Sequence, residues 1–199
     1  MKSLLCTSVL CVCFLISSFA QDISFKQLLQ LRTKTSNEVE QQLSSLDFIP
    51  YDADDIGNGR TISTFQNAIL NNSTIQWIDL VTQGNATWNN RLSFQTQNIE
   101  KVKNYLSELK SLGYYFTIKK VVDKQIYEVY TNGINTIELI TSQNRSAYQY
   151  DGKMYFNFAI YGTSEYNYAF AAENAKYAVP SIKSDELYAN LVDLPIASK

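Results

Sequence analysis

The chain has 199 residues, with 17 basic and 19 acidic side chains, no histidine, and cysteine only at positions 6, 11 and 13. The absent histidine removes Ser-His-Asp and Cys-His catalysis and most zinc sites, along with the side chain best suited to moving protons near neutrality. A mildly acidic surface of this kind argues against nucleic acid and anionic membrane as partners.

The first twenty residues read as an export signal: Lys2, an apolar run from Leu4 to Ile16, then Ser18-Phe19-Ala20 with small residues where a signal peptidase reads. Cleavage between Ala20 and Gln21 is expected, into the periplasm or outside the cell. The apolar run is 13 residues long, short of the roughly 20 that span a bilayer, so no transmembrane segment is expected. All three cysteines leave with the signal, and the remaining 179 residues hold 16 basic and 19 acidic side chains, a net charge of −3. Such a chain has no disulfide to lean on and must be stabilised by a buried core. The junction "SSFAQ" resembles that of exported proteins of Bacteroidota. Four glycosylation sequons start at Asn71, Asn72, Asn85 and Asn144, about the number that chance gives in a chain so rich in Asn, Ser and Thr.

After the signal, "SFKQLLQL" reads as a short helix, followed by a second over 37–46. Thr35 or Ser36 is the expected N-cap of the second, and Glu38, three residues beyond Thr35, completes a capping box. The segment "DADDIGNGR" at 52–60 reads as a polar, turn-rich connection. It fails as a calcium loop, because Ile56 falls where an oxygen ligand is needed in either register that starts from Asp52 or Asp54.

A helix is expected over 98–112, with Gly113 as its C-cap. Strands follow near 114–121, 124–131 and 134–142, with a hairpin over 146–162. Asn132-Gly133 and Asp151-Gly152 are the expected hairpin turns, since both residue types tolerate positive φ. "TSEYNYAFAAENAKYAVP" fits either a strand or an Ala-rich helix, and Pro180 stops it. Ser184-Asp185-Glu186 begins a further short helix.

Two stretches repeat. At a shift of 66, Val39, Leu43, Leu46, Phe48 and Ile49 fall on Tyr105, Leu109, Leu112, Tyr114 and Tyr115; at a shift of 62, Trp88, Arg91, Leu92 and Phe94 fall on Tyr150, Lys153, Met154 and Phe156. The expected architecture is therefore α+β and two-layered, a tandem repeat of helix plus about four antiparallel strands. Its parts are a signal at 1–20, a first half at 21–97, a second half at 98–162 and a tail at 163–199 that packs on the domain.

The stretch "FKQLLQLRTKTSNEVEQQLSSLDFI", with Phe25, Leu28, Thr35, Glu38, Val39, Leu43 and Leu46, resembles the helix-loop-helix opening of β-lactamase-inhibitor-protein-like domains. Lys34 stands where that group usually has glycine, and the second half lacks the first short helix. The resemblance implies tandem helix-plus-four-strand repeats and a protein-binding sheet face, as an inhibitor or an assembly factor.

The 14 tyrosines all lie after residue 20. An Asp151-Gly152 turn would pair Tyr150 with Lys153 and Tyr148 with Tyr155, putting them with Asn157 and Tyr161 on an open face. Ala147, Met154, Phe156, Phe158 and Ile160 would then meet the helices. With Trp88 and Arg91 added by the repeat, the candidate binding residues are Trp88, Arg91, Tyr148, Tyr150, Lys153 and Tyr155. Aromatic and arginine side chains on one sheet face fit a protein or envelope-glycan ligand. No catalytic residue, metal site or cofactor is read from the chain. Carboxylate-dependent action on glycans is the alternative, with Asp52, Asp54, Asp55, Asp79, Glu128 and Glu138 available; a purely structural envelope component is the third reading.

Overall fold

The computed structural model describes residues 22–67, 76–84, 87–146, 149–174 and 176. The predicted signal, Tyr148, and the expected helix at Ser184-Asp185-Glu186 lie outside the described residues.

Helix α1 (Phe25–Leu31) and helix α2 (Ser36–Ser44) each begin with a capping box. Thr35 and Glu38 close the second: the Glu38 carboxylate accepts the Thr35 N–H at 2.9 Å, and the Thr35 hydroxyl accepts the Glu38 N–H. The Thr35 N–H and then the Thr35 hydroxyl, both donating to the carboxylate, hold the Glu38 carboxyl below its ordinary range. The first box, Ser24 with Gln27, follows the same spacing with weaker chemistry. The four-residue turn between the helices lets Phe25, Leu28, Leu31, Val39 and Leu43 all face one core.

Four strands follow, β1 (Phe48–Gly57), β2 (Arg60–Asn67), β3 (Trp77–Gln83) and β4 (Arg91–Thr96), with a 3-10 turn at Thr87–Asn89. The segment expected to be a loop at 52–60 is instead the far end of the β1–β2 hairpin. Asn58 and Gly59 sit at φ 57° and 68°, the left-handed pair that a two-residue turn between twisted strands requires. Turn chemistry at two residues decides the matter, and the aspartates before it are carried along as an exposed edge strand.

Helix α3 (Ile99–Ser111) starts at Asn98, whose side chain accepts from the N–H groups of Glu100 and Lys101. It ends in a Schellman motif: the Gly113 N–H donates to the Lys110 carbonyl, the Tyr114 N–H to the Leu109 carbonyl, and Gly113 has φ 78°. Strands β5 (Tyr115–Val122), β6 (Gln125–Thr131), β7 (Asn135–Ser146) and β8 (Gln149–Gly162) follow, and helix α4 (Thr163–Asn174) resolves the strand-or-helix ambiguity.

All eight strands form one antiparallel sheet in the order β1-β2-β3-β4-β8-β7-β6-β5. The molecule is α+β, as expected; two separate four-stranded sheets do not form, because β4 and β8 pair along Leu92↔Ile160, Phe94↔Phe158 and Thr96↔Phe156. These side chains meet α1, α2 and α3 in the main core on what we call the helix face. At its centre Phe25, Phe94, Tyr105 and Phe158 pack with neighbouring ring centroids 5.3–5.6 Å apart, and the Tyr105 hydroxyl donates to the Ile23 carbonyl at 2.6 Å. Each such ring contributes about 1.5–3 kcal/mol through burial. Lys101 is also buried there, ion-paired with Asp22 and 4.8 Å above the Phe94 ring; burial lowers its pKa, opposed by Asp22.

The Asp151-Gly152 turn is corrected. β7 and β8 pair from Ser146↔Gln149, so Asp151 and Gly152 lie within β8, and the partner of Tyr155 is Ser142 while that of Tyr150 is Asn144. Two residues separate the β7 positions where five separate those on β8, so the Asp-Gly step sits in a bulge. The register that sets Ile137 opposite Ile160 and Leu139 opposite Phe158 keeps both strands' apolar residues on the helix face, and that overrides a local turn preference. The predicted Asn132-Gly133 reversal forms, with Gly133 at φ 87°.

A candidate interface on the outer sheet face

The outer face of the sheet divides into two parts. Over β5–β8 it is covered by α4, where Tyr166 and Phe170 pack on Tyr161 at centroid distances of 5.2 and 5.9 Å and Tyr166 joins Ile118, Val129 and Ala159 in a second, smaller core. Beneath this helix lies a polar network. The Lys120 ammonium donates to Glu173 at 2.9 Å and to Asn174 at 3.2 Å, and lies 3.9 Å from the Glu138 carboxylate. The Tyr166 hydroxyl donates to Glu138 at 3.2 Å. Burial raises the Glu138 carboxyl, against the pull of Lys120, and Lys120 holds the exposed Glu173 below its ordinary range.

The predicted contact residues do not gather on one open surface. Tyr155 is only 7% exposed. Arg91 is half-buried on the outer face, its guanidinium 5.8 Å above the Tyr161 ring; burial pushes the Tyr161 hydroxyl up to about 12. Trp88 is 71% exposed but belongs to the 3-10 turn that precedes β4, where its carbonyl accepts from Arg32 at 3.1 Å. Lys153 is exposed, and the backbone of Tyr150 lies in β8. Met154, expected against the helices, is also exposed, whereas Phe156, Phe158 and Ile160 are in the main core. The open tyrosine face fails at Tyr161 because the chain after Gly162 turns back as α4 and packs Tyr166 and Phe170 on its ring; Tyr155 is buried as well.

The part over β1–β4 carries Tyr51 and Trp77, which the sequence reading missed. Three cross-strand rows follow from the registers: Ile49, Gln66, Trp77, Gln95 and Asn157; Asp52, Thr64, Asp79 and Ser93; Asp54, Ile62, Val81 and Arg91. Tyr51 is the extra residue of a bulge between Pro50 and Asp52 and packs edge-on against Trp77 at 4.8 Å, while remaining 64% exposed. Asp79 is held by the Thr64 hydroxyl at 2.9 Å and the Ser93 hydroxyl at 3.2 Å. The alternation of "WIDLVTQ" could have revealed Trp77 and Asp79 as one face, had the Asn58-Gly59 hairpin first fixed its neighbour.

Glu128 and Glu138 sit on adjacent strands, yet their registers place Glu128 opposite Leu139 and Glu138 opposite Val129. The two carboxylates therefore point to opposite faces and cannot flank one substrate bond. No group of three or more His, Cys, Asp or Glu side chains is arranged to hold a metal among the described residues, nor is any helix among them long and apolar enough to cross a membrane. Comparison of the chain with protein-family models, with curated proteins and with solved structures finds no match.

Proposed function

We infer that the protein is exported and acts as a non-enzymatic binding protein, taking a protein or envelope-glycan partner on the outer sheet face over β1–β4. The observation that carries this reading is the Tyr51–Trp77 pair: two rings in edge-to-face contact, on the part of the sheet away from α4, beside exposed Ile49. Rigid aromatic area with polar tips, on a face built by strands, is the usual material of a binding hot spot. The signal-like first 20 residues support export. The likeness of residues 25–49 to the opening of β-lactamase-inhibitor-protein-like domains favours a protein as the partner.

The same likeness supports descent from a doubled unit whose two four-strand meanders now share one sheet. Asp47 and Gly113, 66 residues apart, both adopt positive φ after their helices.

Replacing Tyr51 and Trp77 together by alanine tests the function. Partners captured from the envelope of the source cell by the unaltered protein are identified and purified, and their affinity is then measured by calorimetry. The double variant should keep its thermal midpoint within a few degrees and lose at least tenfold in affinity. A Tyr168→Ala control, on the outward side of α4, should bind as before. Unchanged affinity in the double variant overturns the reading.

A further inference from the structure

The surface beneath α4 mixes a small apolar cluster of Ile118, Val129, Ala159 and Tyr161 with a larger set of polar groups. Lys120, Tyr127, Thr131, Thr136 and Glu138 all project from the outer face there, whereas the helix face of the same strands supplies Tyr130, Ile137 and Leu139 to the main core. The apolar contact that holds α4 is confined to Tyr166 and Phe170 on the small cluster around Tyr161 and Val129. Alongside the helix a cleft of about 390 Å³ stays open, lined by Thr117, Thr131 and Tyr166 among others, so the helix fills its seat incompletely.

The charges complete the argument. Among the described residues, the hydrogen bonds of Lys120 and Glu138 go to α4 itself, to Glu173, Asn174 and Tyr166. Burying a charge is costly unless it is paired, and breaking a buried pair is costly when one partner stays buried. Neither penalty applies if α4 departs as a unit: Lys120 and Glu138 pass into water together, and the Glu173 side chain is already 47% exposed. Tyr168 on the helix is 96% exposed, so the outward side has nothing else to release.

We propose that α4 is a displaceable cover, which opens from an intact sheet and leaves one continuous outer face across all eight strands. This rests on the reading of that face as the binding surface, and adds its regulation: the closed form offers a partner only the β1–β4 part, and a partner that spans the whole face must displace Tyr166 and Phe170. Opening then belongs to a local equilibrium, separate from global unfolding.

The test uses two matched valines in a full chain with Cys6, Cys11 and Cys13 replaced by serine. Val129, under α4, is 2% exposed and Val102, in the main core, is 3% exposed. Val129→Cys and Val102→Cys are each exposed to a soluble aromatic disulfide reagent under native conditions. The thiol at position 129 should react at least about a hundredfold faster than that at 102, with little dependence on urea. Adding Phe170→Ala should accelerate the first reaction further and leave the second within about twofold. Equal rates at the two positions, or equal acceleration of both by Phe170→Ala, overturns the cover. Ala159→Cys, also under α4, serves if Val129→Cys does not fold. These rates require no partner, so their failure is distinct from a failure of the Tyr51 and Trp77 variant to lose binding.

Discussion

The carboxylate of Glu108, on α3, accepts the backbone N–H of Phe25 at 2.9 Å and that of Lys26 at 3.3 Å, so the first helix is capped by a side chain about 80 residues further along. The first N–H groups of a helix have no partner within it, and their combined dipole favours a negative charge. Glu108→Ala should lower stability by about 1–2 kcal/mol, since it also leaves a part-buried N–H unpaired. Glu108→Gln keeps an acceptor oxygen and should lose less. Urea titrations of the three proteins, followed by circular dichroism, give the order directly.

The buried carboxyls fix a sign for pH dependence. Burial raises the folded pKa of Glu138 and of Glu165 above the ordinary 4.5. Just above that value the folded chain holds more protons than the unfolded one, so these groups make stability fall as pH rises through the window from 4.5 to their raised values. Glu138 faces Lys120, Tyr166, Arg91 and Glu173, and the two cations and the tyrosine limit the rise without reversing it. Glu38 and Glu173 behave oppositely, since both are lowered; their contribution is present above 4.5 and is lost as pH falls toward their lowered values. Thermal midpoints between pH 4.5 and 7 should decline in the unaltered protein, and Glu138→Gln should flatten that slope while the fall below pH 4.5 persists.

What could be read from the sequence follows the range of the interactions. Capping at Thr35 and Glu38, the helix stop at Gly113, and the burial of Val39, Leu43, Tyr105 and Leu109 depend on neighbours within a turn or two, and they hold. The Asp151-Gly152 turn looked equally local, yet its outcome depended on how β7 and β8 line up Ile137 and Leu139 against Ile160 and Phe158. The candidate site failed for the same reason. Whether Tyr161 meets water depends on where the chain goes after Gly162, and alternation within β8 carries no information about that. Tyr51 was hidden by a bulge, which breaks the alternation that would otherwise assign it a face.

The left-handed positions after α2 and α3 offer a paired test. Asp47 adopts φ 61° and Gly113 φ 78°, and a Cβ added at Gly113 would meet nothing within 4 Å, so only backbone strain distinguishes the two sites. A residue with a Cβ pays about 1 kcal/mol in this conformation, partly offset by glycine's extra freedom in the unfolded chain. Asp47→Gly should therefore stabilise by about 0.5 kcal/mol, and Gly113→Ala should destabilise by about 1 kcal/mol. Chemical denaturation resolves both, and a loss on Asp47→Gly would mean that its carboxylate does more than tolerate the turn.

Arg32 ties the helix pair to the seam of the sheet and should be the least replaceable cation in the fold. Its guanidinium donates to the carbonyls of Trp88 and Asn90, each at 3.1 Å, and to the Asn135 side chain at 2.8 Å, joining the end of α1 to the 3-10 turn and to β7. Burial lowers its pKa, with Glu165 opposing from a distance, and its Nε has no hydrogen-bond partner among the described residues. The planar fork is what reaches three acceptors at once; a lysine ammonium, as a point charge, reaches fewer. Arg32→Leu leaves two carbonyls and a carboxamide without their donor and should cost about 3 kcal/mol. Arg32→Lys should recover less than half of that loss, because it still buries a charge while serving fewer acceptors. Denaturation midpoints that rank lysine level with arginine would show that charge, and not the geometry of the fork, holds this joint together.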